Sequence, residues 1–114
     1  MIIAVALTNT NEIAYSIEST DKFKMYDIFE KQIINTYLFN VDRKILQEKI
    51  DYLKNEHTEI LFIKTLDDYE TEAFGPYSMQ AFINAEGDAN ELVKQYLHGP
   101  YIETNYESSN YNLD

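Results

Sequence analysis

Residues Ile2–Leu7 read IIAVAL, six apolar residues in unbroken succession. A strand with one wet face alternates apolar and polar side chains, whereas a strand covered on both faces reads as a continuous apolar run. The stretch is therefore expected at the centre of a sheet, with layers on both sides of it. It lacks a basic flank, is followed at once by TNTNE and is far too short to cross a bilayer, so neither a signal peptide nor a membrane anchor is expected. The expected location is cytoplasmic.

Phe23 to Phe29 (FKMYDIF) and Gln32 to Phe39 (QIINTYLF) are rich in β-branched and aromatic residues. Only Glu30 and Lys31 separate them, which predicts an antiparallel hairpin, although the turn contains no glycine. From Asp42 the period becomes helical: Ile45, Leu46, Lys49, Ile50 and Leu53 share one face, with the lysine stem along its margin. Asp42 is the expected cap, with Val41 packing on Leu46 as a staple. Glu59 to Lys64 (EILFIK) predicts a second buried strand, Asp67 to Phe74 a short helix ended by Gly75 and Pro76, and Ser78 to Asn84 an extended segment, with a helix carrying Met79, Phe82 and Ile83 as the alternative. Glu86 to Pro100 (EGDANELVKQYLHGP) carries a full helix signature. Asp88 caps it, Ala89, Leu92, Val93, Tyr96 and Leu97 form one stripe, and Gly99–Pro100 closes it.

A hairpin beside a central strand, followed by helix-connected strands, implies a mixed five-stranded sheet in order 3-2-1-4-5. The fold class is α/β with a ribonuclease-H-like motif. The 114 residues suffice for one core, expected in a single domain over residues 1–100. Residues 101–114 (YIETNYESSNYNLD) form an acidic, Tyr- and Asn-rich tail with no apolar period, expected to be mobile.

Composition narrows the chemistry. There is no cysteine, which excludes disulfides, thiolate nucleophiles and cysteine-ligated clusters in this chain alone. The net charge of -11 is uneven: residues 1–64 hold eight Lys or Arg against ten acids, whereas residues 65–114 hold only Lys94 against ten. An acidic half repels phosphate backbones, so no nucleic-acid partner is expected, and no membrane partner either. Such charge serves solubility or an acidic docking surface.

Candidate groups are few. His57 and His98 each fall at a helix end, where the dipole favours an imidazolium, and their places give no reason for convergence on a metal. Asp67, Asp68, Glu70 and Glu72 follow a buried strand, where open α/β sheets bind ligands, yet acids also suit a helix N-terminus. A two-metal nuclease of ribonuclease-H type needs a carboxylate on the first strand, and Ile2–Leu7 offers none. The ligand-binding candidates are Thr8, Asn9 and Asn11 after the first strand and Thr65, Asp67 and Asp68 after the fourth. No catalytic residue and no metal ligand is assigned. The ten tyrosines are compatible with a partner surface, with ordinary core and edge-strand use the expectation for those before Tyr101.

Four stretches resemble a known family: IIAVAL, DKFKMYDI at Asp21 to Ile28, EILFIK at Glu59 to Lys64, and AEGDANELVKQYLHG at Ala85 to Gly99. The chain resembles the dinitrogenase iron–molybdenum cofactor biosynthesis domain, that is, the NifX-like and NifB C-terminal-like proteins. The resemblance implies a small α/β ribonuclease-H-like fold, in a family some of whose members hold iron–sulfur precursors of the nitrogenase cofactor. The loops depart from the family pattern. Ser16 to Ser19 (SIES) stands where a His-Phe-Gly motif is usual, Phe39 to Asp42 (FNVD) replaces a His- and Gly-rich loop, and Thr65 to Asp68 (TLDD) replaces a glycine turn. The expectation is a non-enzymatic accessory or protein-interaction domain with a protein partner and no cofactor. The alternative is a carrier of a metal cluster or small ligand at the loops after strands 1 and 4. An iron–sulfur precursor is disfavoured by the missing thiolates.

Overall fold

The structure, a computed structural model, describes residues 1–99 together with the backbone of 110–112. The chain runs β1 (Ile2–Leu7), β2 (Lys22–Phe29), β3 (Gln32–Asn40), α1 (Leu46–Asn55), β4 (Thr58–Phe62), α2 (Asp68–Phe74), β5 (Gln80–Phe82), α3 (Ala89–His98) and β6 (Asn110–Asn112). The sheet order is β3-β2-β1-β4-β5-β6. β1 pairs antiparallel with β2 and parallel with β4, and β4 pairs parallel with β5. The expected 3-2-1-4-5 arrangement is therefore present, with the short β6 added antiparallel to β5. Most of the tail for which mobility was expected lies outside the described residues.

β1 is central and covered on both faces, as its unbroken apolar run requires. Ile3, Val5 and Leu7 pack with Tyr26, Phe62 and the α3 stripe of Leu92, Val93 and Leu97. Ala4 and Ala6 point to the other face, where Phe23, Met25, Ile50, Leu53 and Phe74 join the core from β2, α1 and α2. Alternating branched and small residues thus let one strand serve a one-helix layer and a two-helix layer.

The β2–β3 hairpin turns on Glu30 and Lys31, with φ of 51° and 62°. Both lie in the left-handed region required by a tight two-residue turn, held here without glycine. A bulge between Asp27 and Ile28 shifts the register, so that Asp27 faces Asn35 and Ile28 faces Ile33. α2 begins at Asp67, whose Oδ1 accepts from Glu70 N at 2.7 Å, and stops at Gly75, where φ is +66°. α3 begins at Asp88, whose Oδ2 accepts from Glu91 N at 3.1 Å.

The first helix corrects the sequence reading. Asp42 is not its cap: Asp42 to Lys44 form a turn, and Ile45 is the N-cap, its N–H donating to Glu48 Oε1 at 3.2 Å. Ile45, expected on the buried face, is 67% exposed because it precedes the first helical turn. Lys49 does not lie along a margin. It is 3% exposed, with its ammonium inside the protein.

Candidate functional site

The parallel strands β1, β4 and β5 end on the same side of the sheet, where open α/β sheets bind ligands. Here the chain fills part of that side itself. Beyond Val5 and Phe62 the pairing of β1 with β4 ends, and residues 13–15 enter between their continuations. Ala14 N donates to Ala6 O at 2.8 Å on the β1 side, while Lys64 N donates to Ala14 O at 3.0 Å and Thr65 N to Tyr15 O at 2.8 Å on the β4 side. Leu7 and Ile13 form an antiparallel bridge across the intervening turn. Ile13, Ala14 and Ile17 are buried by this insertion.

The candidate residues are mostly spent on holding these loops. Thr8 Oγ1 accepts from Glu12 N at 3.2 Å and from Thr10 N at 3.3 Å. Asn9 N donates to Asp21 Oδ2 at 2.8 Å, and Asn11 takes a left-handed φ of 67° with its N–H on Thr8 O. Thr65 Oγ1 donates to Tyr15 O at 2.7 Å. Asp67 caps α2, Asp68 is exposed in the first turn, and Glu70 is turned inward, so the acidic cluster does not converge. His57 follows α1 with a φ of 58°, and His98 ends α3. Among the described residues no three His, Asp or Glu side chains are placed to hold a metal ion.

An open cleft of about 280 Å³ remains, lined by Asn11, Glu12, Ile13, Lys64, Glu86 and Gly87. Of the six candidates only Asn11 lines it. Lys64 is its single cation against two glutamates, and Gly87 holds a φ of 98° that side chains rarely adopt. Beside it, Leu7, Lys24, Leu38, Asp88 and Ala89 line a second hollow of about 240 Å³ that also includes Asn11.

Sequence reasoning missed a buried clasp on the segment before β2. Lys49 Nζ donates to Glu18 O and to Thr20 O, each at 2.7 Å. Glu70 is 1% exposed, and its Oε2 accepts from Glu18 N at 2.9 Å. The residue Glu18 is thus gripped at its carbonyl by a cation from α1 and at its amide by a carboxylate from α2. Burial lowers the Lys49 pKa, opposed by Asp21, Glu18, Asp42 and Glu70. Burial raises that of Glu70, opposed by the backbone N–H groups of Glu18, Asp67 and Ile17. The signal was present in both cases: a lysine inside an apolar stripe, and a glutamate three residues after a capping aspartate. Ser16 and Ser19 bond to each other, with their Oγ atoms 3.1 Å apart and Ser16 N donating to Ser19 Oγ at 2.9 Å.

No helix among the described residues is long and apolar enough to cross a membrane. No protein-family model matches the chain, and no curated protein matches it. Solved structures do. The crystal structure of PH0822 superposes with a TM-score of 0.75 at 13% identity, covering 85% of this chain and 88% of that one. MJ0327 of Methanocaldococcus jannaschii, described as a putative dinitrogenase, superposes in its crystal form with a TM-score of 0.72 at 16% identity, covering 97% of this chain and 94% of that one. Its NMR structure gives 0.69 at 15% identity, covering 96% and 92%. Identities this low speak for the fold alone, and the chain has the α/β fold that MJ0327 and PH0822 share.

Proposed function

We propose that this chain is a non-enzymatic accessory domain of the nitrogenase-cofactor-biosynthesis-like fold, cytoplasmic, acting through contacts with a protein partner. One observation carries the reading: residues 13–15 bond to both β1 and β4, in the place where a ligand would enter between parallel strand ends. The neighbouring polar groups support it, since Thr8, Ser16, Ser19 and Asp67 are engaged within their own loops and Thr65 donates to Tyr15 O of the insertion. The donor set agrees, because iron–sulfur clusters are held mainly by soft thiolates and this chain has no cysteine.

The test is anaerobic titration of the full chain with a soluble thiolate-ligated iron–sulfur cluster, followed by desalting. No stoichiometric retention is expected. Retention of about one cluster per chain, abolished by changing His57 or His98, would overturn the reading. The second reading, a small-ligand carrier, is favoured by the cleft of Asn11, Glu12, Lys64 and Glu86. Its mark would be ligand-induced chemical-shift changes confined to those four residues.

A further inference from the structure

The sheet ends on one side in an edge of unusual composition. β3 is the outermost strand on that side, it spans nine residues, and its sequence QIINTYLFN contains neither a charge nor a proline. Extended edges present unpaired backbone N–H and C=O groups to any passing strand, and soluble proteins normally guard them with lysine, proline or shortness. At about 3.4 Å per residue this edge is roughly 30 Å long. The bulge beside Ile34 interrupts it once, and no described strand pairs with its outer side. Two large apolar side chains stand out on it, Ile34 at 60% exposure and Leu38 at 56%.

The occupant can be read from the strand itself. Antiparallel pairing of two copies about Thr36 sets Ile34 of each opposite Leu38 of the other, so the two exposed apolar residues cover each other twice. The same register sets Asn35 opposite Tyr37, and the match ends at Ile34, because the bulge turns Ile33 to the α3 face while Phe39 lies on the α1 face. Such self-complementarity is what a twofold interface demands, because one patch must serve as both surfaces. Charge points the same way. In a chain of net charge -11, a stretch built for a basic partner would carry acids, and this one carries none.

We propose that β3 is a homodimerisation edge, at which a second copy of this chain adds antiparallel about Thr36 to make one continuous sheet. This stands apart from the accessory role and from any ligand at the strand ends.

Sedimentation of the full chain tests it. The wild type is expected at twice the 13.4 kDa chain mass at concentrations of about 10–100 μM, the range of a modest interface. Because both copies are acidic and the edge is neutral, dimerisation should strengthen as salt rises from about 0.05 to 0.5 M, whereas a dimer held by ion pairs would weaken. Leu38→Lys, at an exposed site, should be monomeric with unchanged melting, and so should Ile34→Lys. The double variant Ile34→Lys with Leu38→Glu sets lysine opposite glutamate in both halves and should restore the dimer. A wild type that stays monomeric throughout would overturn the proposal and leave the edge to a strand of another protein. A dimer unaffected by both single variants, or a double variant that stays monomeric, would overturn it as well.

Discussion

Replacing Lys49 by methionine tests whether the buried clasp holds the segment before β2. Methionine keeps the apolar stem inside the α1 stripe but withdraws the only donor to Glu18 O and Thr20 O that reaches in from α1, both bonds being 2.7 Å. A hydrogen bond from a charged donor contributes about 1.5–3 kcal/mol, and an orphaned buried acceptor costs about 1–3 kcal/mol. Against this, the variant no longer desolvates an ammonium, a penalty that for buried ions can reach several kcal/mol. The balance is a loss of roughly 2–4 kcal/mol, since the geometry at Nζ is short and doubled. For a domain of this size that lowers the melting temperature by about 8–16 °C. Urea unfolding followed by far-UV circular dichroism would measure it, with the m-value unchanged, and hydrogen exchange at Glu18 to Thr20 should speed up far more than in α3. A variant as stable as the wild type, or more so, would show that the clasp does not stabilise the fold: the cost of burying the ammonium would then equal or exceed what its two hydrogen bonds return.

The folded-state pKa of Glu70 is raised, so its contribution is present below the ordinary carboxylate range and is lost as pH rises through the folded value. The stability of wild type relative to Glu70→Gln should therefore fall as pH rises from about 4 to 7, and a flat difference in a melting series would disprove it. Changing Glu30 and Lys31 to Asn-Gly should stabilise the domain by roughly 1–2 kcal/mol, because both positions hold positive φ; thermal melting checks it. Leu92→Asp places an unpaired charge on the buried α3 stripe and should cost about 4 kcal/mol or leave the chain unfolded, whereas unchanged melting would remove α3 from the core. Deleting residues 110–114 removes the β6 ladder from β5 and should cost about 1–2 kcal/mol in denaturant unfolding.

The legible parts of the fold were those where side-chain pattern and backbone demand coincide. Ile2–Leu7 reads as a doubly covered strand because both of its faces are in fact buried, and the stripe from Ala89 to Leu97 reads as a helix because one face is. The hairpin was found from its flanking strands, although its turn lacks the usual glycine. β6 was not foreseen: Asn110–Asn112 offers no apolar alternation, and its pairing rests on backbone register with β5. Nor was the insertion of residues 13–15, a segment too short for any period to appear. Lys49 shows the same limit in the core. Periodicity placed it on the right face of α1, but only the three-dimensional approach of residues 18–20 supplies the two carbonyls that let its ammonium be buried.

That insertion also sets the terms on which any ligand could use the ends of β1 and β4. To enter between them it would have to displace residues 13–15, breaking the bonds from Ala14 N to Ala6 O, from Lys64 N to Ala14 O and from Thr65 N to Tyr15 O. At about 1 kcal/mol net for each bond, with about 1.5–3 kcal/mol for each exposed isoleucine at positions 13 and 17, opening costs roughly 6–9 kcal/mol. A binding-competent state so rarely populated weakens apparent affinity by about 10⁴-fold or more. A ligand would be held more readily outside the insertion, in the open cleft with Lys64 as its one cation beside Glu12 and Glu86. That cleft carries a net negative lining, which opposes an anionic cluster and leaves a neutral or cationic group as the better fit. The ends of β1 and β4 are thus closed by three of the chain's own residues, and what stays open to a ligand is the cleft beside them.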